Sequence, residues 1–227
     1  MAFRDWVRLP SRWIEEGGLR QLRWGNPKRP GADIVAALMV LVPIAHNADD
    51  QTGLAKCTYD DLCNATGLSR AKLSAGLKVL ETINVIEREP EGRSTFKLVN
   101  YDPAGGWCKL PAKRLYSGGS IIAFENFNLR NTTELHALKL YFLFAARRGN
   151  DTNMAHLSYD KIETYSGVER LRIKKAISFL AAIGLIYVEH IPSNLNDYGM
   201  ANAYRLAFLE PYFHLGTRGR RMNGDFI

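Results

Sequence analysis

Residues 58–89 read TYDDLCNATGLSRAKLSAGLKVLETINVIERE, and residues 158–189 read SYDKIETYSGVERLRIKKAISFLAAIGLIYVE. The two stretches align without a gap at an offset of 100 residues. Carried back to positions 34 and 134, the alignment covers 56 positions, 34–89 against 134–189. Thirteen are identical: Ala37, Leu38, Ala45, Thr52, Ala55, Tyr59, Asp60, Gly67, Arg70, Leu80, Ile83, Ile86 and Glu89, each with its partner 100 residues on. Chance would supply roughly three or four. A repeat of this length constrains the fold more than any local propensity, because whatever one stretch becomes the other must become too. We read it as an internal duplication of one domain. The lead-ins belong to it: WVRLPSRWIEEGGL at 6–19 and WCKLPAKRLYSGGS at 107–120 share Trp, Leu-Pro and Gly-Gly at an offset of 101.

Each copy reads as helix, tight turn, helix, strand. Thr58 and Ser158 suit a helix start, where a hydroxyl accepts a bond from a first-turn amide. Asp61 completes a capping box with Thr58, a pattern that Lys161 breaks in the second copy. Gly67 and Gly167 fall where a helix would end in the left-handed region. Ser69 caps the next helix, and Glu169 favours its positive end. That helix buries Leu73, Leu77 and Leu80, or Ile173, Ile177 and Leu180, at helical spacing. Asn84 and Gly184 suit its C-terminal cap.

Upstream, 33–46 and 134–148 read as a buried first helix, shortened or kinked by Pro43 in the first copy and capped by Thr132 or Thr133 in the second. Residues 53–57 and 154–157 are short strand candidates. They would pair with hairpins formed by 85–89 with 95–99, and by 185–191 with 203–206. Each lead-in reads as an extended piece, a short helix and a glycine stop. Residues 19–31, with Arg20, Arg23, Lys28 and Arg29, read as a basic loop: a phosphate-contacting arm or a solvated linker.

This pattern resembles the winged-helix form of the helix-turn-helix, found in many bacterial regulators and in plasmid replication initiators. The resemblance spans nearly the whole chain in architecture. Repressors of the MarR type share the Gly-Leu-Ser-Arg turn, Gly67 to Arg70 here, but usually carry one such domain per subunit. The implied fold is mainly α with small β-hairpin wings, an α+β chain of two tandem winged-helix domains. Domain 1 would span 1–102, domain 2 would span 103–210, and 211–227 would form a basic C-terminal tail.

Charge is uneven along the chain. Its net +7 divides into +1 for residues 1–102 (14 Lys/Arg, 13 Asp/Glu) and +6 for 103–227 (16 against 10). An acidic partner suits the second half best. The three cysteines, Cys57, Cys63 and Cys108, show no metal spacing and suit a reduced cytoplasm, close to the nucleoid if the partner is DNA. The apolar run 34–45 is too short to span a bilayer, so no membrane partner is expected.

In a helix-turn-helix the second helix enters the major groove and its non-core face meets the bases. Removing core positions leaves Ser69, Arg70, Lys72, Ser74, Ala75 and Lys78 in the first copy. In the second it leaves Glu169, Arg170, Arg172, Lys174, Lys175 and Ser178, with four cations within six positions. Arg93 at the tip of the first wing, Asn194 and Asn196 in the second, and Arg218, Arg220 and Arg221 in the tail complete the candidate DNA contacts. Trp24 and Trp107 are stacking candidates if the ligand is single-stranded.

Enzyme motifs are missing from the sequence. It has no phosphate-binding GxxxxGK[ST] loop, no GxSxG, and no zinc-like histidine spacing, so neither catalytic residue, metal nor cofactor is expected. The expected function is sequence-specific binding of double-stranded DNA, in replication initiation or transcription regulation of a plasmid, phage or other mobile element. The rival is a protein-interaction scaffold, with domain 1 binding a partner or self-associating. Two such units in one chain need not obey two-fold symmetry, and a bipartite site with unlike halves is expected.

Overall fold

Two helices that are apolar on every side have to lie at the centre of whatever else the chain builds. In the computed structural model, which describes residues 4–150, 152–192 and 200–209, these are α3 (Gly31–Asn47) and α6 (Thr132–Ala146). Every residue of α3 from Ile34 to His46 is buried. The two helices pack against each other. Pro43 does not shorten α3, which runs on to Asn47, and the Asn47 side chain donates to the Pro43 carbonyl at 2.8 Å. The cap of α6 is Asn131, whose side chain accepts from the Thr133 amide; neither expected threonine fills that role.

The rest of each half follows the expected order. In the first, β2 (Leu54–Lys56), α4 (Tyr59–Thr66), α5 (Arg70–Thr82), β3 (Ile86–Arg88) and β4 (Thr95–Leu98) follow α3. In the second, β8 (Met154–His156), α7 (Tyr159–Ser166), α8 (Arg170–Ala182), β9 (Ile186–Pro192) and β10 (Met200–Leu206) follow α6. Each half closes a three-stranded antiparallel sheet with the last strand in the middle, β2-β4-β3 and β8-β10-β9. Thr58 makes both bonds of its capping box with Asp61, and Ser158 accepts only from the Lys161 amide. Gly67 and Gly167 end α4 and α7 at φ of 71° and 66°. The chain is α+β, with small antiparallel sheets beside its helices.

The lead-ins do something the sequence did not announce. Strands β1 (Trp6–Pro10) and β5 (Trp107–Pro111) pair with each other across the two halves. Trp6 faces Pro111, Arg8 faces Lys109 and Pro10 faces Trp107. Under the offset of 101, Arg8 and Lys109 are equivalent positions, so exchanging the halves maps the pairing onto itself. The outward rings repeat the pattern. Trp6 stacks on Trp107 with centroids 6.0 Å apart, Arg8 lies over Trp107, and Lys109 lies over Trp6. Beyond the ribbon the lead-ins cross over. Helix α1 (Arg12–Glu15) packs on α6, and α2 (Gly18–Gln21), in the stretch expected to be a loop, packs on α7. Reciprocally, β7 (Ser120–Ile121), paired with β6 (Tyr116–Ser117), packs on α4, where Ser120 Oγ donates to the Asn64 carbonyl at 2.8 Å.

Two polar residues are buried at this junction. His46 of α3 meets the second lead-in: its Nε2 lies 2.8 Å from the Pro111 carbonyl and its Nδ1 2.8 Å from the Tyr116 hydroxyl. A carbonyl can only accept, so Nε2 carries the proton and Nδ1 accepts from Tyr116. Burial holds the imidazole neutral, down to a pKa of about 3, against a smaller opposing effect of the Pro111 bond. Lys139 of α6 is only 2% exposed, and its Nζ donates to the Leu22 carbonyl at 3.1 Å. Burial first, then the neighbouring charge of Arg23, lowers its pKa to about 8.

Two predictions arise from this junction. The position equivalent to Lys139 is Met39, also buried. Lys139→Met is therefore expected to leave stability at pH 7 unchanged or raise it by up to about 2 kcal/mol, because an apolar isostere avoids burying a charge. The gain should fade as pH rises from about 8 to 10.5, where the folded lysine has lost its proton and the unfolded one still holds it. Denaturant melts at pH 7 and pH 10.5 read this, and a loss above about 1 kcal/mol at pH 7 would refute it. For His46 the unfolded imidazole takes up a proton below about 6.5 while the folded one waits until about 3. Stability is then present above 6.5 and drains away as pH falls toward 3, by at most about 1.4 kcal/mol per pH unit. His136, lowered to about 4 chiefly by burial, acts in the same direction. His46→Gln keeps a donor and an acceptor, and should flatten part of that slope; an unchanged slope would remove His46 from the account.

Candidate nucleic-acid interface

Helices α5 and α8 are each 13 residues long and are entered by a three-residue turn after an eight-residue helix. Their inner faces are fixed by packing. Helix α5 buries Leu73, Gly76, Leu77 and Leu80 against α3. A Cβ on Gly76 would lie 2.8 Å from the Ala37 amide nitrogen, so glycine lets the two backbones approach closely. Helix α8 buries Ile173, Ala176, Ile177 and Leu180, and the alanine at the equivalent place goes with a looser fit to α6. What remains outside is the face predicted from the sequence: Ser69, Arg70, Ser74 and Lys78 on α5, and Arg170, Arg172, Lys174, Lys175 and Ser178 on α8 are exposed.

Their partners divide them. Ser69 caps α5, its Oγ accepting from the Lys72 amide at 3.3 Å. Arg70 donates to Asp60 Oδ1 at 2.5 Å, and Arg170 makes the same bond to Asp160. Lys72 is half-buried and reaches Asp33 on α3, Nζ to Oδ1 2.7 Å. Arg172 donates to Glu169 Oε2 at 2.8 Å. Glu169 therefore stands at the start of α8 without capping it through its side chain. Among the described residues Lys78, Lys174 and Lys175 enter no ion pair. The first-turn cations of both helices are thus paired, and the helices differ further on, where α8 carries Lys174 and Lys175 and α5 carries Lys78.

One arrangement brings in residues from outside the helix. A groove of about 410 Å³ is lined by Lys28, Arg29, Pro30, Asp33, Ala75, Lys78, Val79 and Thr82. The basic stretch before α3 therefore lies alongside the outer face of α5, adding Lys28 and Arg29 to Lys78. Trp24 is folded over Gly31, and Trp107 is stacked on Trp6; neither ring stands clear of the chain for a base to stack on. Arg93 is exposed in the turn between β3 and β4. Asn194 and Asn196, in the second wing, and Arg218, Arg220 and Arg221, in the tail 211–227, lie outside the described residues.

The sequence reading missed two features. Asp60 and Asp160 each hold the arginine ten residues on, a pairing not anticipated above. The signal was present, since Asp60 and Arg70 are both among the identities of the repeat. Leu171, at the position of Ala71, projects from the first turn of α8 and is 93% exposed. No group of His, Cys, Asp and Glu able to hold a metal occurs among the described residues. Cys57 and Cys108 are buried, and burial is the main cause that pushes both thiols up to about 12. No helix of the described residues is long and apolar enough to cross a membrane.

The Arg–Asp pairs are exposed on both sides, 67% and 77% for Arg70 and Asp60, so they carry little stability. Asp60→Asn and Asp160→Asn are expected to change unfolding free energy by less than about 1 kcal/mol each. A thermal melt that shows a larger loss would make these pairs structural. No protein-family model matches the chain, and no curated protein matches it.

Proposed function

We propose that this chain binds double-stranded DNA sequence-specifically through two winged helix-turn-helix units, in replication initiation or transcription regulation of a plasmid, phage or other mobile element. The observation that carries this reading is the outward cationic face of α8, with Arg170, Arg172, Lys174 and Lys175 exposed on one 13-residue helix. In each half a shorter helix precedes the reading helix at a tight turn, and a small antiparallel sheet stands beside it as the wing. In this arrangement the exposed helix lies in the major groove and the wing tip reaches the flanking backbone.

The ribbon changes what kind of site to expect. The pairing of β1 with β5 maps onto itself when the halves are exchanged, which supports two reading helices related as in a symmetric dimer. The half-sites are then inverted with respect to each other, with centres about one helical turn or a multiple apart. They differ in sequence, since Ser69-Arg70-Ala71-Lys72 and Glu169-Arg170-Leu171-Arg172 offer different groups. A second reading, a protein-interaction scaffold, draws on the first half. Arg70 and Lys72 are both satisfied by carboxylates, and domain 1 could hold a protein partner or a second copy instead of a half-site.

Selection of bound duplexes from a random library, followed by footprinting, tests both. Neutralising roughly five to eight phosphates should lower affinity by several hundredfold or more between about 50 and 200 mM salt. Arg170→Ala or Arg172→Ala should cost about 1–3 kcal/mol on the selected site and much less on random duplex. Arg70→Ala or Lys72→Ala should weaken the other half-site alone. A flat salt response, or no enriched duplex, would leave the scaffold reading; a footprint insensitive to Arg70 and Lys72 would confine DNA contact to the second half.

A further inference from the structure

Leu171 is 93% exposed, against 51% for Ile122 and 41% for Tyr187, the other large exposed hydrophobic residues among those described. Folding does not require it there. The buried face of α8 is made by Ile173, Ala176, Ile177 and Leu180, and the equivalent place in the first half holds Ala71. Its surroundings are charged. Arg170 precedes it and is held by Asp160; Arg172 follows it and is held by Glu169. Lys174 and Lys175 follow within the next turn. Both flanking guanidiniums are thus tied to carboxylates of their own chain, and the leucine stands between them without a neighbour to cover it.

A leucine set among four cations and two carboxylates fits a surface that is anionic and carries an isolated apolar group. A second copy of the same face would bring cations against cations. The major groove of duplex DNA meets both requirements, because the thymine 5-methyl is an apolar group on the base edges, within a polyanion. First-turn residues of a reading helix are the ones that approach the bases. Building on the DNA-binding reading above, we infer that Leu171 is a specificity-determining residue that reads a thymine methyl group in the half-site of the second unit. Ala71 carries only a Cβ methyl, so the first unit presents a shorter apolar reach at the same helix position.

The test uses the full chain and the duplex enriched from a random library. Each thymine in turn is replaced by uracil, which removes the 5-methyl and leaves every hydrogen-bonding group in place. Burying one methyl group is worth roughly fourfold in affinity. One thymine in the second half-site should lose about that factor in the wild-type protein. Leu171→Ala should bind the thymine duplex roughly fourfold or more weakly and no longer distinguish uracil at that position. Its melting temperature should match the wild type, because the side chain touches nothing that folding needs. Leu171→Met, which keeps an apolar reach, should retain the discrimination. The inference is overturned if no thymine is sensitive, or if the uracil loss persists in Leu171→Ala. It is also overturned if Leu171→Ala leaves DNA affinity intact while dissociating a dimer in sedimentation. Failure to enrich any duplex sinks the DNA-binding reading itself, and is seen before any uracil is introduced.

Discussion

The antiparallel pairing of β1 with β5, laid over the contact between α3 and α6, decides the form of everything else. These are the places where the halves meet through equivalent residues, and the lead-ins then cross so that each finishes the other half's surface. Helices α1 and α2 cover α6 and α7; β7 covers α4, and Pro111 and Tyr116 meet the end of α3 at His46. The apolar core is consequently continuous from Val7 to Leu209, without a break at the 102/103 boundary. Two of the buried polar groups, His46 and Lys139, sit at this junction and each bridges the halves through one donor. A buried donor that finds a carbonyl loses little, whereas the same carbonyl left bare would cost more than the bond contributes.

Much of each half was legible in the sequence, and for definite reasons. The capping box at Thr58, the left-handed glycines at 67 and 167, and the 3–4 spacing of Leu73, Leu77 and Leu80 act within a few residues. Their physical effect is local and leaves a local pattern. The repeat then lent each assignment a second witness. Errors arose where the outcome rested on distant packing. Pro43 reads as a kink or a shortening, but a helix buried from Ile34 to His46 can lose one hydrogen bond and keep its packing, and α3 runs on to Asn47. The stretch after Leu19 looked like a loop because α7 and Lys139, which help to organise it, are more than a hundred residues away. The β1–β5 ribbon was illegible for the same reason: five-residue strands with tryptophan and proline at their ends say nothing of what they pair with.

At the exposed helices, composition and availability proved to be different quantities. Counting cations made α5 milder than α8, and geometry keeps that difference, because two cations of each helix are paired. Asp33, Asp60, Asp160 and Glu169 reach Lys72, Arg70, Arg170 and Arg172 in turn, leaving Lys78, Lys174 and Lys175 as the unpaired charges of the two faces. A carboxylate beside an arginine both reduces its field at long range and fixes the direction in which its remaining donors point. Attraction and aim are then carried by different residues: free lysines for the first, tethered arginines for the second.

Carrying both strands of the ribbon on one chain also removes dilution as a variable. Two separate subunits joined by such a small sheet would drift apart as their concentration fell, since each partner must find the other against translational entropy. Here the second strand is tethered 101 residues away and stays at a high effective concentration however few molecules are present. Carrying both halves on one chain has a further consequence. The two halves of a homodimer must change together, because one gene writes both, whereas here equivalent positions hold unlike residues, Ala71 and Leu171 or Met39 and Lys139. A symmetric frame can thus hold two faces that no longer say the same thing.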